Sequence, residues 1–215
     1  MAFEGWPEDA LDFYDGLEAD NTKTYWTKHR DTYDAQVRGP MTELLEELAP
    51  DFGDIKIFRP YRDVRFSKDK SPYKTAIGAT VGDGYIQLSA HGLAAGSGMY
   101  GMEAGQLDRY RKAVAGDRSG ARLERVISAV REHDIDVHGH ETLKTAPRGY
   151  PPDHPRIDLL RCKGLVAWKQ WPVEPWLGTA AAKDRVTGFL TATRPLCHWL
   201  AEHVGPSTAG ESRRR

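Results

Sequence analysis

Hydrophobic positions in the first fifty residues recur at helical spacing. Ala10, Phe13, Tyr14 and Leu17 share one face behind Pro7, a residue suited to a first helical position. Gly16 weakens that helix near its end. Asp20 or Asn21 stands where a cap is needed for a second helix carrying Trp26, Tyr33 and Val37. Gly39-Pro40 ends it and opens a third, with Met41, Leu44, Leu45 and Leu48 on one side, and Pro50 closes the third. The period then changes to two. Over 61–67, Tyr61, Asp63, Arg65 and Ser67 alternate with Arg62, Val64 and Phe66, which predicts a strand. Residues 69–72 read as a turn. Tyr73, Thr75, Ile77, Ala79 and Val81 alternate again, and Gly82-Asp83-Gly84 signals a hairpin. Ile86, Leu88 and Ala90 mark the next strand. A glycine-rich strand over 93–100 follows the His91-Gly92 turn. Such short connections imply an antiparallel meander.

Helical spacing returns after Gly105, first with Leu107, Tyr110, Arg111 and Val114, then with Leu123, Val126, Ile127 and Val130. Residues 134–160 are proline-rich and irregular, with a short strand expected near 135–138. A further strand is expected over 165–171, ended by Pro172. The last helix carries Val186, Phe189, Leu190, Thr193, Cys197, Leu200 and Val204, and Pro195 is expected to kink or split it. The expected fold is α+β: an antiparallel meander of about four or five strands packed by N-terminal and C-terminal helices. One domain is expected over 1–205, with a disordered tail over 206–215.

The chain's 215 residues are enough to bury a core without staples. Cys162 and Cys197 have no metal-ligand spacing and form no disulfide framework, which fits a reducing compartment. The acidic opening MAFEGWPEDA does not read as a signal peptide, and no run approaches the length of a membrane span. A cytoplasmic location without membrane partners is therefore expected. The near-neutral total charge of −1 hides an uneven distribution. Residues 1–54 hold 14 acids and 4 bases, whereas 55–75 hold 7 bases and 2 acids.

That basic segment carries the candidate chemistry. Phe58 to Thr75 reads FRPYRDVRFSKDKSPYKT, with Arg59, Arg62, Arg65, Lys68, Lys70 and Lys74 against Asp63 and Asp69. Phe58, Tyr61, Phe66 and Tyr73 are threaded between the charges. So dense a cationic cluster repels itself unless something negative neutralises it. Three readings are open. In the first, Arg59, Arg62, Arg65 and Lys70 grip a phosphate or carboxylate on a small molecule, because guanidinium forks match those oxygens in pairs. Asp63, Asp69 and Tyr73 would position them. If such a domain is an enzyme, it would carry out hydrolysis or transfer on a phosphorylated or carboxylated small molecule. The arginines would stabilise developing charge, and Asp63 or His154 would move the proton. In the second, the interleaved aromatics and bases track single-stranded nucleic acid. In the third, the cluster is a structural charge network, with Asp69 or a helix carboxylate such as Glu18 serving Arg62.

The run Arg59-x-x-Arg62-Asp63-x-Arg65-Phe66, followed by Asp69-Lys70-x-x-Tyr73, resembles the signature of an uncharacterised family of bacterial and fungal proteins, domain of unknown function 2461. The resemblance extends to Phe3-x-Gly5, to Asn21-Thr22-Lys23 before Tyr25-Trp26, to Pro147-Arg148-Gly149-Tyr150, and to Asp153-His154-Pro155. It covers nearly the whole chain and implies no activity, cofactor or ligand.

Other motifs are weaker. His91 and His154 sit in turns or loops and are candidate proton carriers whose alternative is a solvated or capping role. His138-Gly139-His140 places two imidazoles on one side of an extended segment without a third ligand nearby. Gly96-Ser97-Gly98-Met99-Tyr100-Gly101 matches a dinucleotide-binding pattern literally, but a helix leading to another helix follows it, so strand-packing glycines are the better reading. Cys162, between Arg161 and Lys163, is a candidate for a lowered thiol pKa. Cys197 falls among core positions.

Overall fold

The computed structural model describes residues 2–65 and 67–207, so Phe66 and all of the expected disordered tail beyond Ser207 lie outside the described residues. The fold is α+β. The helical elements are α1 (Glu8–Ala19), α2 (Lys23–Lys28), α3 (Arg30–Thr32), a π-helical segment (Tyr33–Arg38), α4 (Gly39–Phe52), α5 (Ala104–Ala115), α6 (Asp117–Arg131), α7 (Ile157–Arg161), a 3₁₀ turn (Pro175–Gly178) and α8 (Ala181–His203). The strands are β1 (Ile55–Ile57), β2 (Ala76–Val81), β3 (Gly84–Ser89), β4 (Gly92–Met99), β5 (Asp136–Thr142) and β6 (Cys162–Trp171). Their order is β1-β2-β3-β4-β6-β5. The expected meander is therefore present as β1 to β4, and β1 is a strand that the alternation did not reveal. Helix α8 runs through Pro195 and is not split. Buried Leu190, Leu196, Trp199 and Leu200 lie on both sides of the proline. Their burial outweighs the roughly 3 kcal/mol that an interior proline costs.

The described residues divide into two compact units, those within 2–95 with 170–188, and those within 96–169 with 189–207. In the first, the apolar helical stripes become core. Ala10, Phe13, Tyr14 and Leu17 of α1 are buried, as are Met41, Leu44, Leu45 and Leu48 of α4. Phe13 centres an aromatic cluster, with the rings of Tyr14, Trp26 and Tyr33 at 5.2, 5.8 and 5.5 Å. Two helix boundaries differ from expectation. Thr22, not Asp20 or Asn21, caps α2: its extended backbone lets Oγ1 accept from the Tyr25 amide at 3.2 Å. Helix α4 continues past Pro50 to Phe52 and ends at Gly53, whose amide bonds Ala49. Antiparallel pairing of β2 with β3 closes on the expected hairpin at Gly82, where φ is +51° and a Cβ would sit 1.9 Å from the Phe52 carbonyl oxygen.

The expected strand over 61–67 is absent among its described residues. In its place stands a single antiparallel bridge, Tyr61 to Tyr73. The Arg62 amide bonds Pro72 at 2.9 Å and the Lys74 amide bonds Pro60 at 2.8 Å on either side of it. Beyond the bridge, aspartates take the backbone over. Asp63 accepts from the Arg65 amide at 3.3 Å, and Asp69 accepts from the Ser71 amide at 2.9 Å. Side-chain bonds reaching two residues on are turn geometry and compete with a ladder.

In the second unit, α5 begins with a reciprocal capping box between Glu103 and Gln106. Tyr110 and Trp199 are fully buried, donating to the carbonyls of Leu159 and Ser119 at 3.0 Å each. Strand β5 extends the expected short strand to Thr142 and pairs antiparallel with β6. The arginines here clamp backbone: Arg109 reaches the Val204 and Pro206 carbonyls, Arg131 reaches Val137, and Arg161 reaches Leu143.

Candidate anion-binding site

The basic segment is anchored from the helical side by one amide. Asn21 donates through Nδ2 to the Tyr73 carbonyl and accepts through Oδ1 from the Tyr73 amide, both at 3.1 Å. It thus saturates both backbone groups of Tyr73, as a neighbouring strand would. The Tyr73 ring stacks on Trp26, with centroids 4.4 Å apart and planes 7° from parallel. Tyr73 is buried and serves as a structural pin. Its bridge to Tyr61 fixes the chain that runs from Arg59 to Arg62.

The cations of this segment meet different partners. Arg65 forks onto Asp63, Nε to Oδ1 at 2.9 Å and Nη2 to Oδ2 at 2.6 Å. The Arg65 side chain, and then its amide, hold Asp63 below the ordinary carboxylate range. Arg62 pairs through Nη1 with Asp69. Asp69 is held well below that range by the Ser71 hydroxyl and amide, and then by Arg62. The Lys70 ammonium donates to the Val64 carbonyl at 3.0 Å. Glu18 stands 3.6 Å from His91 instead, so Asp69 is the carboxylate that serves Arg62.

Arg59 lines a hollow of about 230 Å³ with Arg30, Arg38, Asp34, Tyr33 and Tyr61, closed by Ile57, Phe58 and Pro60. The π-helical segment builds one wall. Its i→i+5 bond, Gly39 amide to Asp34 carbonyl, widens the turn. That brings residues five apart, Tyr33 and Arg38, to one side, where α-helical winding would separate them. Among the lining groups Asp34 is the one carboxylate, and Arg30 stands 3.6 Å from it. The guanidinium groups of Arg38 and Arg59 have no hydrogen-bond or ion-pair partner among the described residues. Burial, against the neighbouring Arg38, pushes the Tyr33 phenol up to about 12, so it stays a neutral donor.

Of the eight residues singled out in the sequence, Arg59 reaches this hollow. Arg62 lines a second one, Asp63 and Arg65 bind each other, and Asp69, Lys70 and Tyr73 hold the loop. His154 belongs to the second unit, where Nδ1 accepts from the Arg156 amide at 3.0 Å. Arg30 and Arg38 went unnoticed because they lie in a segment dominated by acids. The signal was there in their spacing with Tyr33 and Asp34, but only π winding turns that spacing into one face.

Other motifs resolve into structure. His138 pairs with Asp136 at 2.7 Å, and His140 stacks on Tyr100 with centroids 3.6 Å apart. Among the described residues no group of histidine, cysteine and acidic side chains could hold a metal ion. Cys162 is buried, and burial pushes its thiol pKa up, which corrects the expectation of a lowered value. At Gly98, with φ +103°, a Cβ would lie 2.5 Å from the Leu165 carbonyl oxygen; this glycine lets two strands approach.

The family model for conserved hypothetical protein (DUF2461) matches residues 9–199. The chain belongs to that family. The match spans α1 through most of α8, and so includes both hollows and the Asn21 anchor. No curated protein and no solved structure matches the chain. Among the described residues, no helix of this family member is long and apolar enough to cross a membrane.

Proposed function

We propose that this domain binds a small anion, a phosphate or carboxylate group, in the hollow of Arg30, Arg38 and Arg59. The observation that carries the reading is the pair of guanidinium groups, Arg38 and Arg59, that line one hollow with no hydrogen bond or ion pair to either among the described residues, while its one carboxylate, Asp34, stands 3.6 Å from Arg30. Like charges in a shared concavity repel, and an external anion relieves that repulsion while filling their donor forks. Tyr33 and Tyr61 supply hydroxyls and apolar walls at the same place. A π-helical wall adds support, since such segments recur at functional sites.

Titration calorimetry with inorganic phosphate tests this. Saturable binding is expected, weakened at least about fivefold by Arg38→Ala or Arg59→Ala, as the loss of about 1 kcal/mol implies. Arg65→Ala, whose guanidinium is committed to Asp63, leaves binding unchanged. No heat, or equal weakening by Arg65→Ala, would overturn the reading. Affinity for oligothymidylate that grows with length and collapses with salt would instead favour single-stranded nucleic acid.

A further inference from the structure

Phe58 is a wall of two hollows. Besides the arginine-lined one, it closes a second of about 440 Å³ whose polar lining comes from Arg62, Lys74, Thr75, Tyr85 and Gln87. No carboxylate lines this second hollow. Its polar groups are turned to donation. Tyr85 donates its hydroxyl to Gln87 Oε1 at 2.9 Å, which commits the amide oxygen and leaves the Gln87 Nε2 donors without a partner among the described residues. Arg62 gives Nη1 to Asp69, and its Nε and Nη2 make no hydrogen bond to any described residue. The Lys74 ammonium sits 5.7 Å from the Phe58 ring centroid, a contact that leaves all three N–H groups open. One short segment contributes to both hollows. Arg59 and Arg62 flank the Tyr61–Tyr73 bridge and its two backbone bonds.

Resting on the reading above, we infer that the ligand carries two anionic groups, one held by Arg38 and Arg59 and the other by Arg62, Lys74 and Gln87, with an apolar spacer lying across Phe58. The class is a short-chain bisphosphate or a phosphorylated carboxylic acid. A single phosphate satisfies one hollow and leaves the second donor set empty. Joining two anions makes the second contact intramolecular, so affinity rises without any new kind of contact, provided the spacer spans the sites.

The test uses the full chain and a series of alkane bisphosphonates with two to six methylenes, each compared with butylphosphonate and inorganic phosphate. One spacer length should bind with one-to-one stoichiometry and at least about tenfold more tightly than butylphosphonate, as short linkers allow. Arg59→Ala and Lys74→Gln should each return that bisphosphonate to the affinity of the monophosphonate. Arg122→Ala, which lines neither hollow, should leave the binding of phosphate and of the bisphosphonates unchanged. Bisphosphonates that gain no more than the statistical factor of two, or a gain that survives Lys74→Gln, would overturn the inference while leaving Arg59-dependent phosphate binding intact. Absence of phosphate binding altogether would overturn both.

Discussion

Replacing Asn21 by alanine removes the one side chain that saturates both backbone groups of Tyr73. Tyr73 is only 5% exposed, so water does not readily replace the lost partner. Each hydrogen bond contributes about 0.5–1.5 kcal/mol net, and an unpaired buried group costs about 1–3 kcal/mol. Two 3.1 Å bonds to one partly shielded residue therefore put the loss at roughly 1–3 kcal/mol. The bridge to Tyr61 loosens with it, and with the bridge the placement of Arg59. Urea unfolding followed by tryptophan fluorescence should show the lower midpoint, and phosphate affinity should fall in parallel. Asn21→Asp separates the two bonds: it keeps the acceptor for the Tyr73 amide but sets a carboxylate against the Tyr73 carbonyl, so it should be no better than alanine. An Asn21→Ala loss under about 0.5 kcal/mol, with phosphate binding unchanged, would refute the anchoring role.

Three further outcomes follow from the same contacts. Asp63 and Asp69 have depressed folded-state pKa values, so the stability they contribute is fully present above the unfolded value of about 3.9 and is lost as pH falls through the folded values. The Asp69 carboxyl carbon resonance should still report the ionised form at pH 4; an ordinary titration of Asp69 would contradict the Ser71 and Arg62 contacts. Spectrophotometric titration should find Tyr33 ionising only near about 12, with buried Tyr14 and Tyr110 also delayed beyond ordinary phenols, and that burial should oppose folding as pH climbs from about 10; ordinary ionisation of every phenol near 10 would refute it. Arg156→Ala should destabilise the second unit by roughly 1–3 kcal/mol, because the side chain is 12% exposed and bonds both Glu124 and the Val114 carbonyl; an unchanged melting midpoint would refute it.

Much of the fold was legible because burial follows period. The stripes at Ala10, Phe13, Tyr14 and Leu17 and at Met41, Leu44, Leu45 and Leu48 lie in the core, and the hairpin at Gly82 sits where its turn residues stand. Residues 61–67 alternate in polarity, yet Asp63 and Asp69 divert the backbone into turns, an outcome alternation does not encode. Helix α4 continues through Pro50 because one missing donor is a small loss beside the burial of Leu44, Leu45 and Leu48. The basic segment was the right place to look, but its charges do not act together. Two of its arginines are met by aspartates two and seven residues away, and Arg59 joins Arg30 and Arg38 from a distant stretch. That convergence depends on π winding between Tyr33 and Arg38, which composition does not reveal.

The arginine side-chain Nε–H correlation spectrum, recorded while inorganic phosphate is added, tests the central claim most directly. Arg38 and Arg59 should move together along one saturation curve, with Arg30 following as its contact with Asp34 adjusts, while Arg65 and the backbone-clamping Arg109 stay in place. Shifts spread evenly over all arginines, or confined to those outside the hollow, would contradict it.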